Sequence, residues 1–139
     1  MVQLIVGVKG KGKTKILLDK VNAQIKNVDG SIIYLDKSTK HMYELNNKVR
    51  LIDLSEYLIG DAPGFIGFIL GLISQDRDIE EMYLDSFLKI AAVDADNLSA
   101  TLHKLNEIGN KFKIKFTLSM SMDEVDLPED VKTYVAVAL

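Results

Sequence analysis

Cysteine is absent from this 139-residue chain, which excludes a disulfide framework and thiol chemistry and removes the commonest structural zinc ligand. Histidine is nearly absent as well. His41 and His103 are the only two, neither has a partner at catalytic spacing, and both read as surface residues, so no structural metal site is expected on them. Arg50 and Arg77 are the only arginines among 17 basic residues, leaving little for chemistry that depends on a planar guanidinium fork. Positive charge is not in excess either: a net charge of −3 disfavours nucleic acid as a partner. The longest uncharged apolar stretch, residues 62–75, falls short of the roughly 20 helical residues that span a bilayer. The N-terminus shows no charged segment followed by an apolar one, so no signal peptide is expected. The expected compartment is the cytoplasm, without a membrane partner.

With 47% apolar and 27% charged residues, the chain has the composition of a folded globular protein. No repeat or linker interrupts it, and residues 1–139 are read as a single domain. A short apolar run, Val2 to Val6, reads as a strand stopping at Gly7. A helical pattern follows, with Ile16, Leu17, Val21 and Ile25 on one face. Ser31 to Leu35 reads as a second strand, with residues 37–40 turning a hairpin into 41–45 at the sheet edge. Val49 to Leu54 is a further strand. Asp61 and Pro63 mark the start of a helix to about Gln75, apolar on every side and therefore either buried or self-associating. Ile79 to Leu84 is a strand ending at Asp85. Asp94 or Asp96 is expected to cap a helix bearing Leu98, Leu102, Leu105 and Ile108, with Gly109 ending it. Strands at 112–118 and 133–138 complete the chain. Strands alternating with helices imply an α/β sandwich on a mostly parallel sheet.

Between the first strand and the first helix stands Gly7-Val8-Lys9-Gly10-Lys11-Gly12-Lys13-Thr14, a full match to the Gly-x4-Gly-Lys-Thr phosphate-binding loop. Glycines suit such a loop because backbone N–H groups must turn inward around a phosphate, which needs unhindered and often positive φ. The helix start offers further free N–H groups and the positive end of its dipole. Lys13 is the expected ligand of the β- and γ-phosphates, and the Thr14 hydroxyl of Mg²⁺. Lys9, Lys11 and Lys15 add charge around the loop, and Gly10 adds freedom. A second loop lysine of the MinD type would fall at Val8, so that subclass is excluded.

On Gly7, Gly12, Lys13 and Thr14 the chain resembles the RecA-like branch of P-loop NTPases. As a whole it is similar to small stand-alone bacterial proteins labelled twitching-motility (pilus retraction) ATPase or ATP-binding protein. The resemblance implies a three-layer sandwich, a five-stranded core sheet of order 5-1-4-3-2 with the 31–45 hairpin at its edge, and ATP with Mg²⁺ as ligands. It also implies a carboxylate at the end of a buried strand that holds the metal through its water shell. Asp36, Asp53 and Asp85 each end an apolar run. The RecA-like order selects Asp85, with Asp53 as alternative, and reads Asp36 as a turn residue. Glu56, after the second core strand, is the expected water-orienting base. Ser119, with Ser121, falls at the polar position that senses a γ-phosphate.

The function expected is therefore an ATP·Mg²⁺-binding protein, a slow ATPase or nucleotide-dependent switch acting with a protein partner. The alternative is a module that binds without hydrolysing. Kinase-type transfer needs an arginine-bearing lid that two arginines do not supply, and the charge disfavours DNA translocation.

Overall fold

The computed structural model describes all residues from Met1 to Leu139. Six strands, β1 (Val2–Gly7), β2 (Ser31–Asp36), β3 (Arg50–Asp53), β4 (Ile79–Leu84), β5 (Lys115–Ser121) and β6 (Val135–Ala138), form one sheet of order β3-β2-β4-β5-β1-β6. Every pairing is parallel. The helices are α1 (Lys13–Gln24), α2 (Ala62–Gln75), the short α3 (Phe87–Ile90) and α4 (Leu98–Phe112).

Strand residues alternate between two apolar layers, as the pleat requires. Ile5, Ile32, Tyr34 and Tyr83 pack with Leu17 and Val21 of α1 on one face. Leu4, Val6, Ile33, Leu84 and Leu118 face α2 and α4 on the other, against Phe65, Ile69, Leu102 and Leu105. This is the three-layer sandwich, with every strand's C-terminal end on the same side of the sheet.

The edge hairpin is not formed. Ile32 to Asp36 are all buried, and a strand buried on both faces belongs inside a parallel sheet, not at its rim. β2 accordingly lies between β3 and β4, making six strands instead of the expected five. Residues 41–45 are not a strand: Met42–Glu44 is a 3₁₀ turn. Asn22 of α1 holds this region by donating to the Glu44 carbonyl at 2.8 Å and accepting from the Asn46 N–H at 2.9 Å.

α2 begins as expected, the Asp61 carboxylate accepting from the Gly64 N–H at 2.7 Å. Phe65, Ile69 and Ile73 bury one stripe of it, whereas Ile66, Phe68 and Leu72 are half-buried and Leu70 is exposed. Neither Asp94 nor Asp96 caps α4. Asn97 occupies the cap, and Asp94 builds the preceding turn by accepting from the Asp96 and Asn97 N–H groups. Gly109 does not end α4 either. A Cβ there would lie 2.5 Å from the Met1 nitrogen and 2.7 Å from the Ile114 carbonyl, so glycine is required by close approach of the chain. Phe112 consequently belongs to the helix, and β5 starts later than the sequence pattern suggests.

Candidate functional site

Strand β1 runs into the loop at Gly7, whose N–H donates to the Met122 carbonyl at 2.9 Å. The carboxyl-terminal Leu139 lies against it and donates its N–H to the Val6 carbonyl at 2.9 Å. A Cβ on Gly7 would meet Leu139 at 3.0 Å. Farther along, Gly10 and Gly12 hold φ of +88° and +87° with open space where a Cβ would stand, so backbone conformation and not room selects glycine. Gly12 is the N-cap of α1, makes no side-chain cap, and is followed by no acidic residue in the first turn. The helix start is thus left electropositive with its N–H groups free, the arrangement that receives an anion.

Lys13 is buried, yet its ammonium is not paired with a carboxylate. It donates to the Gly7 carbonyl at 2.7 Å and the Val8 carbonyl at 3.0 Å, folded back over its own loop. Burial holds this ammonium below its ordinary pKa, with the charge of Asp85 pulling the other way.

Asp85 is the hub of the opposite wall. Its Oδ1 accepts from the Thr14 hydroxyl at 3.2 Å and from the Ser119 hydroxyl at 2.6 Å. Its Oδ2 accepts from the Tyr34 hydroxyl at 2.8 Å, and burial together with Asp85 raises the Tyr34 pKa far above the phenol range, so that group stays a donor. Ser86 follows in the left-handed region, φ 55°, a conformation that carries strain for a side-chain-bearing residue. It turns the chain into α3, and its N–H donates to Ser119 Oγ at 2.9 Å. Thr14, Ser119 and Asp85 are hard oxygen donors, the set that suits Mg²⁺ in place of a softer metal.

These walls enclose a cleft of about 450 Å³ at the strand C-termini, lined by Lys9, Gly10, Gly12, Lys13, Thr14, Asp85, Ser86, Ser119 and Ser121, with Lys37, Leu88 and Lys89. The sequence-expected residues divide accordingly. Lys11 and Lys15 are exposed and outside the lining; Lys15 pairs with Asp19 on the surface at 3.3 Å. Asp53 lies on the edge strand β3, with β2 between it and β4. Its carboxylate accepts from the Ser55 N–H at 3.0 Å and hydroxyl at 2.6 Å, the geometry of a strand-end cap. Glu56 follows it, exposed and away from the cleft lining. Because β2 fills the position next to β4, the carboxylate beside Asp85 is Asp36. It is buried, its Oδ1 accepts from the Lys37 N–H at 2.7 Å, and its Oδ2 has no partner. Burial pushes its pKa up, the Lys37 N–H works against that, and the charge of Asp85 adds to it. The signal for Asp36 was present as an apolar run ending in Asp. The polar residues 37–40, read as a hairpin turn, concealed it. Lys37 and Lys89 carried no motif.

Both arginines lie away from this cleft. Arg50, at the start of β3, pairs with Asp76 at 3.6 Å, and Arg77 stacks over Phe112 at 5.7 Å. His103 bridges α4 to the C-terminal segment, 2.7 Å from both Tyr134 Oη and Asp130 Oδ2.

Two solved structures align with this arrangement over most of the chain. A KaiC-like protein from the hyperthermophilic archaeon Pyrococcus horikoshii OT3 superposes with a TM-score of 0.60 over 85% of this chain and 61% of its own, at 16% identity. The flagellar accessory protein FlaH from Methanocaldococcus jannaschii superposes with a TM-score of 0.61 over 95% of this chain and 65% of its own, also at 16% identity. The fold is RecA-like. The chain spans less than two thirds of the length of either structure. No family model matches the sequence, and no curated protein matches it. Within this RecA-like frame, the loop lies between β1 and α1, and Asp85 ends β4, separated from β1 by β5. No helix is long and apolar enough to cross a membrane.

Proposed function

We propose that this chain binds a nucleoside triphosphate with Mg²⁺, ATP in the first instance, in the cleft between the 7–14 loop and Asp85, and acts as a slow ATPase or nucleotide-dependent switch with a protein partner. The observation that carries the reading is the convergence on one cleft of a glycine loop, a free helix start, a buried lysine and a Thr14–Asp85 contact at 3.2 Å. In this reading the loop N–H groups and Lys13 take the phosphates, and Lys13 exchanges its two carbonyl acceptors for phosphate oxygens. Thr14 and Asp85 hold the metal and its waters, and Ser119 orients the Asp85 carboxylate. A magnesium ion held by these residues would supply positive charge that offsets the negative charge on the phosphate oxygens. The single-domain organisation belongs to the same reading. So does the likeness to small bacterial proteins labelled pilus-retraction ATPases, which extends to the nucleotide site and not to motility.

For hydrolysis, the carboxylate assigned to orienting water is Asp36 in place of Glu56: both stand outside the cleft lining, but Asp36 directly neighbours Asp85 and keeps one oxygen unpaired. A non-hydrolysing module is the second reading, favoured by the absence of any arginine from the cleft lining. Calorimetric titration with ATP·Mg²⁺ and GTP·Mg²⁺, followed by phosphate release, tests both. Binding without release selects the second reading, and no binding to either rejects the proposal.

A further inference from the structure

Three lysines from three different elements line the cleft. Lys9 comes from the phosphate loop, Lys37 from the turn after β2, and Lys89 from α3. None forms an ion pair, whereas Lys15, Lys104 and Lys132 each find a carboxylate close by along the chain. Lys89 is held below its ordinary pKa, first by Lys37 and then also by Lys9, which is how like charges behave when brought together uncompensated. Like charges brought together in this way repel even in water, so the arrangement fits a site that an anion completes.

Position within the sheet says which part of the anion. Lys13 and the start of α1 stand at the β1 end of the cleft, and Thr14 meets Asp85 in its middle. Lys37 follows β2, on the far side of β4 from β5 and β1, and Lys89 projects from the helix that begins directly after Asp85. A phosphate chain that starts on the loop and passes the metal position therefore ends facing these two lysines. Both also border a second cavity of about 210 Å³ with Leu54, Leu58 and Ile59. With open space on either side, each side chain is free to turn into the cleft.

The geometry points to Lys37 and Lys89 as a clamp, supplied within the same chain, that grips the outermost phosphate of a nucleoside triphosphate and makes the site prefer triphosphate to diphosphate. The inference rests on the proposed nucleotide binding and names its determinant of phosphate number. Lysine binds as a mobile point charge and not as a fork, so two lysines from separate elements are needed to hold one terminal phosphate from both sides.

The test is calorimetry with ATP·Mg²⁺ and ADP·Mg²⁺ on the wild-type chain, Lys13→Ala, the Lys37→Gln/Lys89→Gln double variant and the Lys37→Arg/Lys89→Arg double variant. The clamp lysines are outside the apolar core, so the fold is retained and circular dichroism checks it. Loss of both charges is expected to weaken ATP roughly 30- to 100-fold, the scale of two charge-assisted contacts partly offset by solvent, while ADP changes less than about 2-fold. The arginine pair keeps the preference for ATP. Equal weakening of ATP and ADP, or an unchanged ATP affinity in the glutamine pair, overturns the clamp and leaves the nucleotide reading intact when Lys13→Ala weakens binding at least about 10-fold. A wild-type chain that binds neither nucleotide overturns both.

Discussion

Thr14 and Asp85, 71 residues apart in sequence, meet through a 3.2 Å hydrogen bond from the threonine hydroxyl to carboxylate Oδ1. One closes the phosphate loop and the other ends β4, so the contact depends on β5 seating β4 at the right distance from β1. Ser119, on β5, donates to the same oxygen at 2.6 Å, so that one carboxylate oxygen joins β5, the end of β4 and the start of α1.

Asp85→Asn keeps an oxygen acceptor for the hydroxyls but removes the charge a cation needs. Nucleotide binding measured against rising Mg²⁺ is expected to lose most of its metal-dependent gain. Asp53→Asn, which alters only the contacts to Ser55, is expected to leave that gain unchanged and to lower stability by about 1 kcal/mol or less. The opposite ranking of the two variants would transfer the metal role to β3.

Asp36 makes stability depend on pH with a definite sign. Its folded pKa is raised above 3.8, so between the unfolded and folded values the native state holds a proton that the unfolded chain has lost. Stability from this group therefore falls as pH rises through that window, and the full penalty of a buried charge applies above it. Chemical denaturation of Asp36→Asn against wild type is expected to favour the variant increasingly as pH rises above 3.8, levelling off once the folded carboxyl has ionised. A difference that does not vary with pH removes Asp36 as a buried titrating group.

Turnover of the isolated chain is expected to stay below about 1 s⁻¹, the low end of enzymes. An arginine finger contributes roughly 10³–10⁵ in rate to phosphoryl transfer. Arg50 and Arg77 are engaged by Asp76 and Phe112, away from the cleft. Arg50→Ala and Arg77→Ala are expected to leave phosphate release unchanged. Release at tens per second, or its loss in either variant, contradicts this.

The loop at residues 7–14, the parallel α/β layers, the start of α2 at Asp61 and the ends of β4 were legible because each rests on a short-range rule: glycine spacing, apolar period or a capping side chain. The position of β2 was not. Burial on both faces of Ile32 to Leu35 is a property of the sheet's order, and a polar turn behind the strand looked the same as a hairpin turn. That one misplacement moved the neighbour of Asp85 from Asp36 to Asp53 and carried Glu56 into the site. Lys37 and Lys89 were invisible for a related reason: neither belongs to a spacing pattern, and only the sheet order brings a turn and a four-residue helix to one cleft.

The central claim is that the 7–14 loop holds a nucleoside triphosphate through Lys13. Isothermal titration of ATP·Mg²⁺ into the wild-type chain and into Lys13→Ala measures it directly. The account predicts saturable binding by the wild type and affinity weakened at least about 10-fold in the variant, the scale of one lost charge-assisted contact, with far-ultraviolet circular dichroism unchanged. Equal affinities in two folded proteins, or no heat of binding in the wild type, would contradict it.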